Sequence, residues 1–375
     1  MKTLIFNTGI AGHHLEYLHH YYIGALGRPE HNFVFVIPRK FEEVKDKYDW
    51  PQCKNIEILY IDAKYDTTLE EKNPYRLGWN TSKILKDYSE QIKPDRILLT
   101  MLMQYIPFIL FLLPSSIKVS GILYQVYLYN LKNLSFFRRL LNFFIYLYTA
   151  KSKRIANVFV LNDVDSALAF NKKFHTNKFK FLPDPVPEIE KSSLKNLRSE
   201  LEIPKENKVF LHFGGLDKRK GTLDILKAIN LLSKEDARKF SFIFAGKQHK
   251  EIKKEFSNLH SDIKDICQVL IFDEFCSYEF LYNLCYTCDV ILMPYTLTNL
   301  SSGVLGYASV FGKPVIGPSS GLLGNIIKNY KLGICLKNIS PENIKEGMLL
   351  EIHSEGFLSY SKKNSISEFI NILYS

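Results

Sequence analysis

The feature that most constrains this fold is the alternation of short apolar runs with longer amphipathic segments along almost the whole chain. In the first half the apolar runs fall at residues 3–6, 33–37, 56–61, 96–99, 120–124 and 157–161, with amphipathic stretches such as 12–25 and 80–92 between them. Runs this short suit strands, and strand, helix, strand in sequence predicts a parallel sheet covered by helices on both faces. The second half repeats the pattern at 209–213, 240–245, 269–272, 290–294 and 314–317. Between the halves, Pro183-Asp184-Pro185-Val186-Pro187 breaks regular structure, and a charged segment, 188–206, follows with Pro204 near its end. A chain of 375 residues is expected to form two domains rather than one core. The expected class is therefore α/β, with two parallel-sheet domains of similar size facing a cleft. Ligands of such sheets bind at the carboxyl ends of strands. A last amphipathic segment, 365–373, puts Ile366, Phe369, Ile370 and Leu373 on one face.

Charge narrows the partners. The chain carries 49 Lys and Arg against 39 Asp and Glu, a net +10, which favours nucleic acid, nucleotide phosphates or anionic lipid. The cations sit at phosphate-sized turns rather than in a long stripe, so nucleic acid is not expected. The six cysteines are scattered. Cys285 and Cys288 form a Cys-x-x-Cys pair, but it leads into an apolar run, as buried free thiols of a reducing, cytoplasmic compartment would. The apolar run after Met1-Lys2 is too short for a signal peptide and ends in a glycine loop. Residues 97–113 carry no charge, but Thr100, Gln104 and Pro107 interrupt them. They are expected to form a strand and, over 106–113, part of a packed helix rather than a membrane span.

The chemistry concentrates at a few turns. Phe213 ends an apolar run at Gly214-Gly215, and Lys218, Arg219 and Lys220 follow before Gly221 and an amphipathic segment. Glycines let a backbone approach an anion, and cations neutralise it. Cations at a helix start oppose the partial positive charge already there, so three of them call for an anion or full solvation. A diphosphate is the candidate. A second anion-ready end is Asn299-Leu-Ser301-Ser302-Gly303-Val304, where Ser301 or Ser302 is expected to cap a helix and leave N–H groups of Ser302, Gly303 and Val304 free. Segments 311–317 and 321–324 form further glycine turns. In the first half, Gly9-Ile-Ala-Gly12-His13-His14-Leu-Glu16 is a glycine loop after a strand that lacks the full dinucleotide fingerprint. His13, Glu16 and His20 share a helical face, but not in the order of a zinc motif. His13 or His14 is read instead as an acid/base or ligand-contacting group. Asp163-Val164-Asp165 has the form of a metal clamp, yet its place between a strand and a helix fits capping. Residues 135–154 form an aromatic, apolar helix bracketed by Arg138, Arg139, Lys151, Lys153 and Arg154. It suits either an anionic membrane surface or a buried domain helix, and one face could serve each.

From residue 157 to the end, the order and spacing of these motifs resemble the nucleotide-binding half of a GT-B-fold glycosyltransferase of the family 4 type, the glycosyl transferases group 1. The resemblance rests on Gly214 to Gly221, on Phe242 to Gly246, on the loop from Val269 to Phe275, on Asp289 to Pro294, on Ala308 to Ile316 and on Pro183-Asp184-Pro185-Val186. It implies two Rossmann-like domains, 1–185 for the acceptor and 186–355 for the nucleotide sugar, with 356–375 crossing back to the first. It implies a metal-independent, retaining transfer from a nucleotide-diphosphate sugar to a glycan or lipid-linked glycan, as in bacterial surface polysaccharide synthesis at the inner membrane face. No cofactor is implied, and domain closure would exclude water. Lys220 and Arg219, with the helix end at Ser301, Ser302, Gly303 and Val304, would stabilise the leaving diphosphate over Gly214, Gly215 and Gly246. Phe272, Glu274 and Phe275 would hold the base and Tyr307 the ribose. Gly12, His13, His14, Glu16, Tyr124 and Gln125 would face the acceptor or sugar. The chain departs from the family at three places. Asn299 and Tyr307 stand where two glutamates are usual, Gly215 stands in place of an arginine, and the acceptor-side histidine falls near Tyr124-Gln125. An epimerase or phosphorylase on the same fold, and a binding protein with weak turnover, are the alternatives.

Overall fold

The computed structural model describes residues 1–10, 13–126, 128 and 134–375, with only the backbone of His13 and Lys191. The chain divides into two compact units, Met1–Pro183 with Ile366–Ser375, and Asp184–Ser365.

The first unit is built on a seven-stranded sheet of β1 (Lys2–Phe6), β2 (Asn32–Ile37), β3 (Ile56–Tyr60), β4 (Arg96–Leu99), β5 (Lys118–Leu123), β6 (Ile155–Leu161) and β7 (Phe179–Leu182). Its order is β3-β2-β1-β4-β5-β6-β7, and every pairing is parallel. Successive strand residues point to opposite faces. Leu4, Phe6, Ile97 and Leu99 accordingly enter one core layer, and Ile5, Phe33, Phe35 and Leu98 the other. Both layers are buried, which is why these strands read as continuous apolar runs.

The second unit repeats the plan with β8 (Lys208–Phe213), β9 (Phe240–Ala245), β10 (Gln268–Phe272), β11 (Val290–Leu292), β12 (Val315–Pro318) and β13 (Gly333–Leu336). The order is β10-β9-β8-β11-β12-β13, again wholly parallel. The sequence shows eleven of the thirteen strands. The two it hides, β7 and β13, are four-residue edge strands. Edges are kept short, and four residues carry little periodicity.

Helix boundaries follow local chemistry. The helix expected at 80–92 starts earlier and spans Pro74–Ile92, because Asn73 accepts from the Tyr75 and Arg76 N–H groups and Pro74 opens the first turn. The packed helix expected over 106–113 is instead two single turns, Leu102–Tyr105 and Ile109–Leu112, since Pro107 cannot continue a helical ladder. Asp163 caps Val164–Phe174 by accepting from Ser166 N at 2.9 Å, as its position after a strand implied. Cys285 and Cys288 are fully buried free thiols, and burial pushes Cys288 up to about 12. Among the described residues, no helix is long and apolar enough to cross a membrane.

The last twenty residues divide between the units. Phe357–Lys363 stays in the second, where Asn364 accepts from Asp184 N at 3.1 Å and from Val186 N at 2.8 Å. Ile366–Tyr374 packs in the first. Its Phe369 and Leu373 enter the core layer of Tyr17, Leu18 and Tyr21, and Tyr374 donates to the Tyr21 carbonyl at 2.6 Å.

Candidate functional site

In each sheet the strand order reverses beside the first strand, between β1 and β4 and between β8 and β11. Loops on either side of such a switch point splay apart and leave a crevice at the carboxyl ends of the strands. The two anion-ready turns of the second unit follow β8 and β11, so tertiary structure makes neighbours of segments about eighty residues apart.

The turn after β8 is shaped by backbone packing. Gly214 has φ +89° and Gly246 φ +140°, and a Cβ on Gly246 would collide with the Gly214 carbonyl. A side chain at Gly214 would strike the Lys220 ammonium. Gly215 has open space where its side chain would be, with no atom within 4 Å. The cations then form a single 3-10 turn, Lys218–Lys220, before the helix Thr222–Asn230.

That turn carries its own anion. Asp217 accepts from Lys220 N at 2.8 Å and pairs with Arg219 Nη2 at 3.2 Å. Three cations at this turn were expected to call for an anion or full solvation, and for Arg219 the turn itself supplies the anion. Lys220 differs. Its Nζ donates to the Phe213 carbonyl at 3.3 Å and lies 5.5 Å over the Tyr295 ring. No carboxylate pairs with it among the described residues.

Beneath the turn, His212 locks β8 to β11. Its Nδ1 lies 2.9 Å from the Leu292 carbonyl and its Nε2 3.0 Å from Thr222 Oγ1. The carbonyl can only accept, so Nδ1 carries the proton and Nε2 accepts from the hydroxyl. Burial pushes this imidazole down to about 4, so it is neutral. The loops are tied again where the Arg219 carbonyl accepts from Thr296 N at 2.9 Å and Thr296 Oγ1 at 3.1 Å. Nothing in the sequence singled out His212; a histidine inside an apolar strand reads as core until its partners are known.

The loop after β11 holds two buried orphans. Tyr295 is 2% exposed and Asn299 3%. The Tyr295 hydroxyl and both amide atoms of Asn299 have no hydrogen-bond partner among the described residues. Buried polar groups are normally satisfied, so these three atoms are exceptions within the core of the second unit. Ser302 occupies the N-cap of Gly303–Phe311 without a side-chain cap bond. The Ser301 hydroxyl is spent elsewhere, on Asp184 Oδ2 at 2.5 Å. The expected side-chain cap is therefore not made by Ser302. Tyr307 lies one helical stretch on, edge-on to Phe213 at 5.3 Å and near Tyr282 at 5.8 Å.

At the end of β10, Phe272 packs edge-on against Phe280 at 5.0 Å. Asp273 binds Gln248 N at 2.7 Å and the Lys253 ammonium at 3.2 Å. The backbone donor, then the lysine, hold its carboxyl below the usual range. Glu274 and Phe275 follow, exposed.

The first unit has its own cluster at its switch point. Thr100 Oγ1 donates to Asn7 Oδ1 at 2.8 Å, and Gln104 Nε2 to Thr8 Oγ1 at 3.1 Å. The His14 ring stands edge-on to Tyr124 at 6.2 Å, and Tyr124 to Tyr17 at 5.5 Å. Gln125 is exposed beside them, and Glu16 lies in the first turn of His13–Leu26. Gly12 lies outside the described residues, and no side-chain position is described for His13. His20 faces the interior, 5.7 Å from the Phe369 ring.

The family model described as Glycosyl transferases group 1 matches residues 194–368. No curated protein sequence matches the chain. Among solved structures, the chain is similar to HepE of Anabaena in complex with UDP and glucose, at 14% identity and a TM-score of 0.64, over 100% of this chain and 98% of that one. It is similar to a glycosyltransferase from Rickettsia africae, at 13% identity and a TM-score of 0.62, over 99% of this chain and 92% of that one. It also resembles WaaG, a glycosyltransferase involved in lipopolysaccharide biosynthesis, at 14% identity and a TM-score of 0.64, over 100% and 95%. The matched segment spans nearly all of the second unit, and the two parallel sheets are those of the fold these structures share. The chain therefore has the GT-B fold, and its residues 194–368 match the glycosyl transferases group 1 model.

Proposed function

We propose that this chain moves a sugar from a nucleoside-diphosphate sugar to a glycan or lipid-linked glycan, with retention of configuration, in bacterial surface polysaccharide or glycoconjugate synthesis. The observation that carries this reading is Lys220, an ammonium without a carboxylate partner among the described residues, standing over a glycine turn at the switch point of its sheet. The HepE structure contains UDP-glucose, and a uridine diphosphate sugar is the first donor to test here.

The chemical difficulty is negative charge building on the leaving diphosphate. In this proposal Lys220 and the uncapped start of Gly303–Phe311 meet that charge, with no reorganisation needed at the moment of bond cleavage. Arg219, held by Asp217, reaches the outer edge of the same diphosphate, while Gly214, Gly215 and Gly246 keep the backbone low enough for approach. Phe272, Glu274 and Phe275 border the base and Tyr307 the ribose. Asn299 offers the sugar hydroxyls one donor and one acceptor in place of the carboxylate usual in the family. The acceptor is assigned to the first unit, at His14, Glu16, Tyr124 and Gln125, with Gly12 and His13 beside them.

Two substitutions test the donor half. Asn299→Leu removes two unsatisfied buried polar atoms for a side chain of similar size. The thermal midpoint should stay level or rise, while donor affinity falls ~10-fold or more. A lowered midpoint with unchanged donor titration would make Asn299 structural instead. Asp184→Ala removes the carboxylate that the Ser301 hydroxyl bonds and should cost about 1 kcal/mol of stability and raise the donor KM. Denaturant melts and initial rates check both.

One observation favours a second reading. Asn299, neutral where the family carries a carboxylate, fits a protein that binds the donor and turns it over weakly. Calorimetry showing donor binding, with no nucleotide released across a panel of acceptors, would support it. Product formed without an acceptor, or only with inorganic phosphate, would instead mark an epimerase or a phosphorylase.

A further inference from the structure

The helix Phe136–Lys151 is apolar on two faces. One packs inward, with Tyr146 stacked on Phe170 at 4.7 Å and Phe143 against Phe174 at 5.7 Å. The other carries Phe137, Leu141, Phe144 and Tyr148, spaced i, i+4, i+7 and i+11 along one side, with Phe136 and Leu140 next to them. All six are exposed, Phe137 to 79% and Phe136 to 72%. An ordinary surface helix turns polar residues to this side.

The patch continues onto other elements. Phe111, 68% exposed, stacks on Tyr148 at 6.0 Å with the rings 17° apart. Phe111 belongs to the turn Ile109–Leu112, which packs against the helix Pro74–Ile92; there Phe108, just before the turn, lies 5.6 Å from Trp79, and Lys83 lies 4.9 Å over the Trp79 ring. Contiguous apolar surface on this scale marks an interaction site.

Charge selects the occupant. No Asp or Glu occurs between Asp95 and Asp163, a stretch that contains Arg96, Lys118, Lys132, Arg138, Arg139, Lys151, Lys153 and Arg154. Arg138 and Arg139 stand at one end of the exposed helix face. At the other, Lys151 ends the helix, Lys118 donates to the Lys153 carbonyl at 3.0 Å and Arg154 Nε to the Leu113 carbonyl at 2.7 Å. A second copy of this face would set cations against cations. Anionic headgroups answer both the cations and, with the acyl chains below them, the aromatic face. With 16 residues the helix is too short to span a bilayer.

We propose that this face docks on an anionic lipid bilayer, with the helix Phe136–Lys151 lying in the plane of the interface. Phe137, Leu141, Phe144 and Phe111 enter the headgroup–acyl boundary, and the flanking cations meet lipid phosphates. The surface lies wholly within the first unit and is independent of the donor chemistry.

The test is co-sedimentation of the full chain with vesicles of phosphatidylcholine mixed with phosphatidylglycerol, against vesicles of pure phosphatidylcholine. Binding is expected to the anionic vesicles, to weaken with salt, and to fall at least ~10-fold in the Phe137→Ser/Phe144→Ser variant. Both side chains are exposed, so the variant should melt as the unaltered chain does; if it does not, Arg138→Glu/Arg139→Glu supplies the same comparison through charge. Equal binding to both vesicle types, no binding to either, or binding untouched by the variants would overturn the proposal. So would a concentration-dependent dimer, seen by light scattering, that the serine variant dissolves.

Discussion

Lys220→Ala is expected to lower kcat by ~10²-fold or more while leaving the fold intact. The side chain is half-buried, bonded to one carbonyl and set over the Tyr295 ring. Removing it leaves no buried charge behind, because no carboxylate pairs with it among the described residues. The loss should appear chiefly in kcat, since the charge it answers is larger in the transition state than in the bound donor. Lys220→Arg should recover little: a planar guanidinium does not fit where the Gly214 backbone confines a compact ammonium. Arg219→Ala should cost less, because that guanidinium already spends part of its charge on Asp217. Rates of nucleotide release with saturating donor decide the matter. Wild-type turnover in Lys220→Ala would remove the residue from the mechanism.

The second large effect is on stability in acid. Each unit buries one imidazole that burial pushes from 6.5 to about 4: His20 in the first, His212 in the second. The unfolded chain therefore binds more protons than the folded one between those values, and stability must fall as pH falls. The full contribution is present above about 6.5, and by pH 4 each histidine should have cost its unit about 3 kcal/mol. His20 has Glu16 and His19 as its charged neighbours, and these act in opposite directions; its Nε2 has no partner among the described residues. His20→Leu should thus reduce the acid loss of the first unit, leaving the part due to His19, which burial also pushes down, and spare the second. The fluorescence of Trp50 and Trp79 reports on the first unit alone, because both lie in it. Urea midpoints followed by that signal should fall with pH in the unaltered chain and fall less steeply in the variant. Parallel slopes would assign the acid loss to other groups.

These effects were legible to different degrees in the sequence. The glycine turn with its cations stands out because two glycines end an apolar run and three cations follow at a helix start, where positive charge is unfavourable. Eleven strands stand out because burial on both faces demands continuous apolar residues. Asn299 and Tyr307 stand out only by comparison, as departures from a family pattern. His20 and His212 do not stand out at all: the pKa of an imidazole is set by what surrounds it, and those neighbours come from Phe369 in the C-terminal helix and from Leu292 and Thr222.

The amino-acid order determined the alternation of elements, and with it the class of fold and the strand ends at which each glycine turn must lie. Those properties are local, set by side-chain periodicity and by the conformations glycine and proline permit. Tertiary structure alone decided that the loops after β8 and β11 are neighbours, that Lys220 stands over the Tyr295 ring, that Ser301 bonds Asp184, and which side of Phe136–Lys151 meets solvent. Each depends on strand order and on the distance between groups far apart in the chain. No periodicity in the sequence encodes that distance.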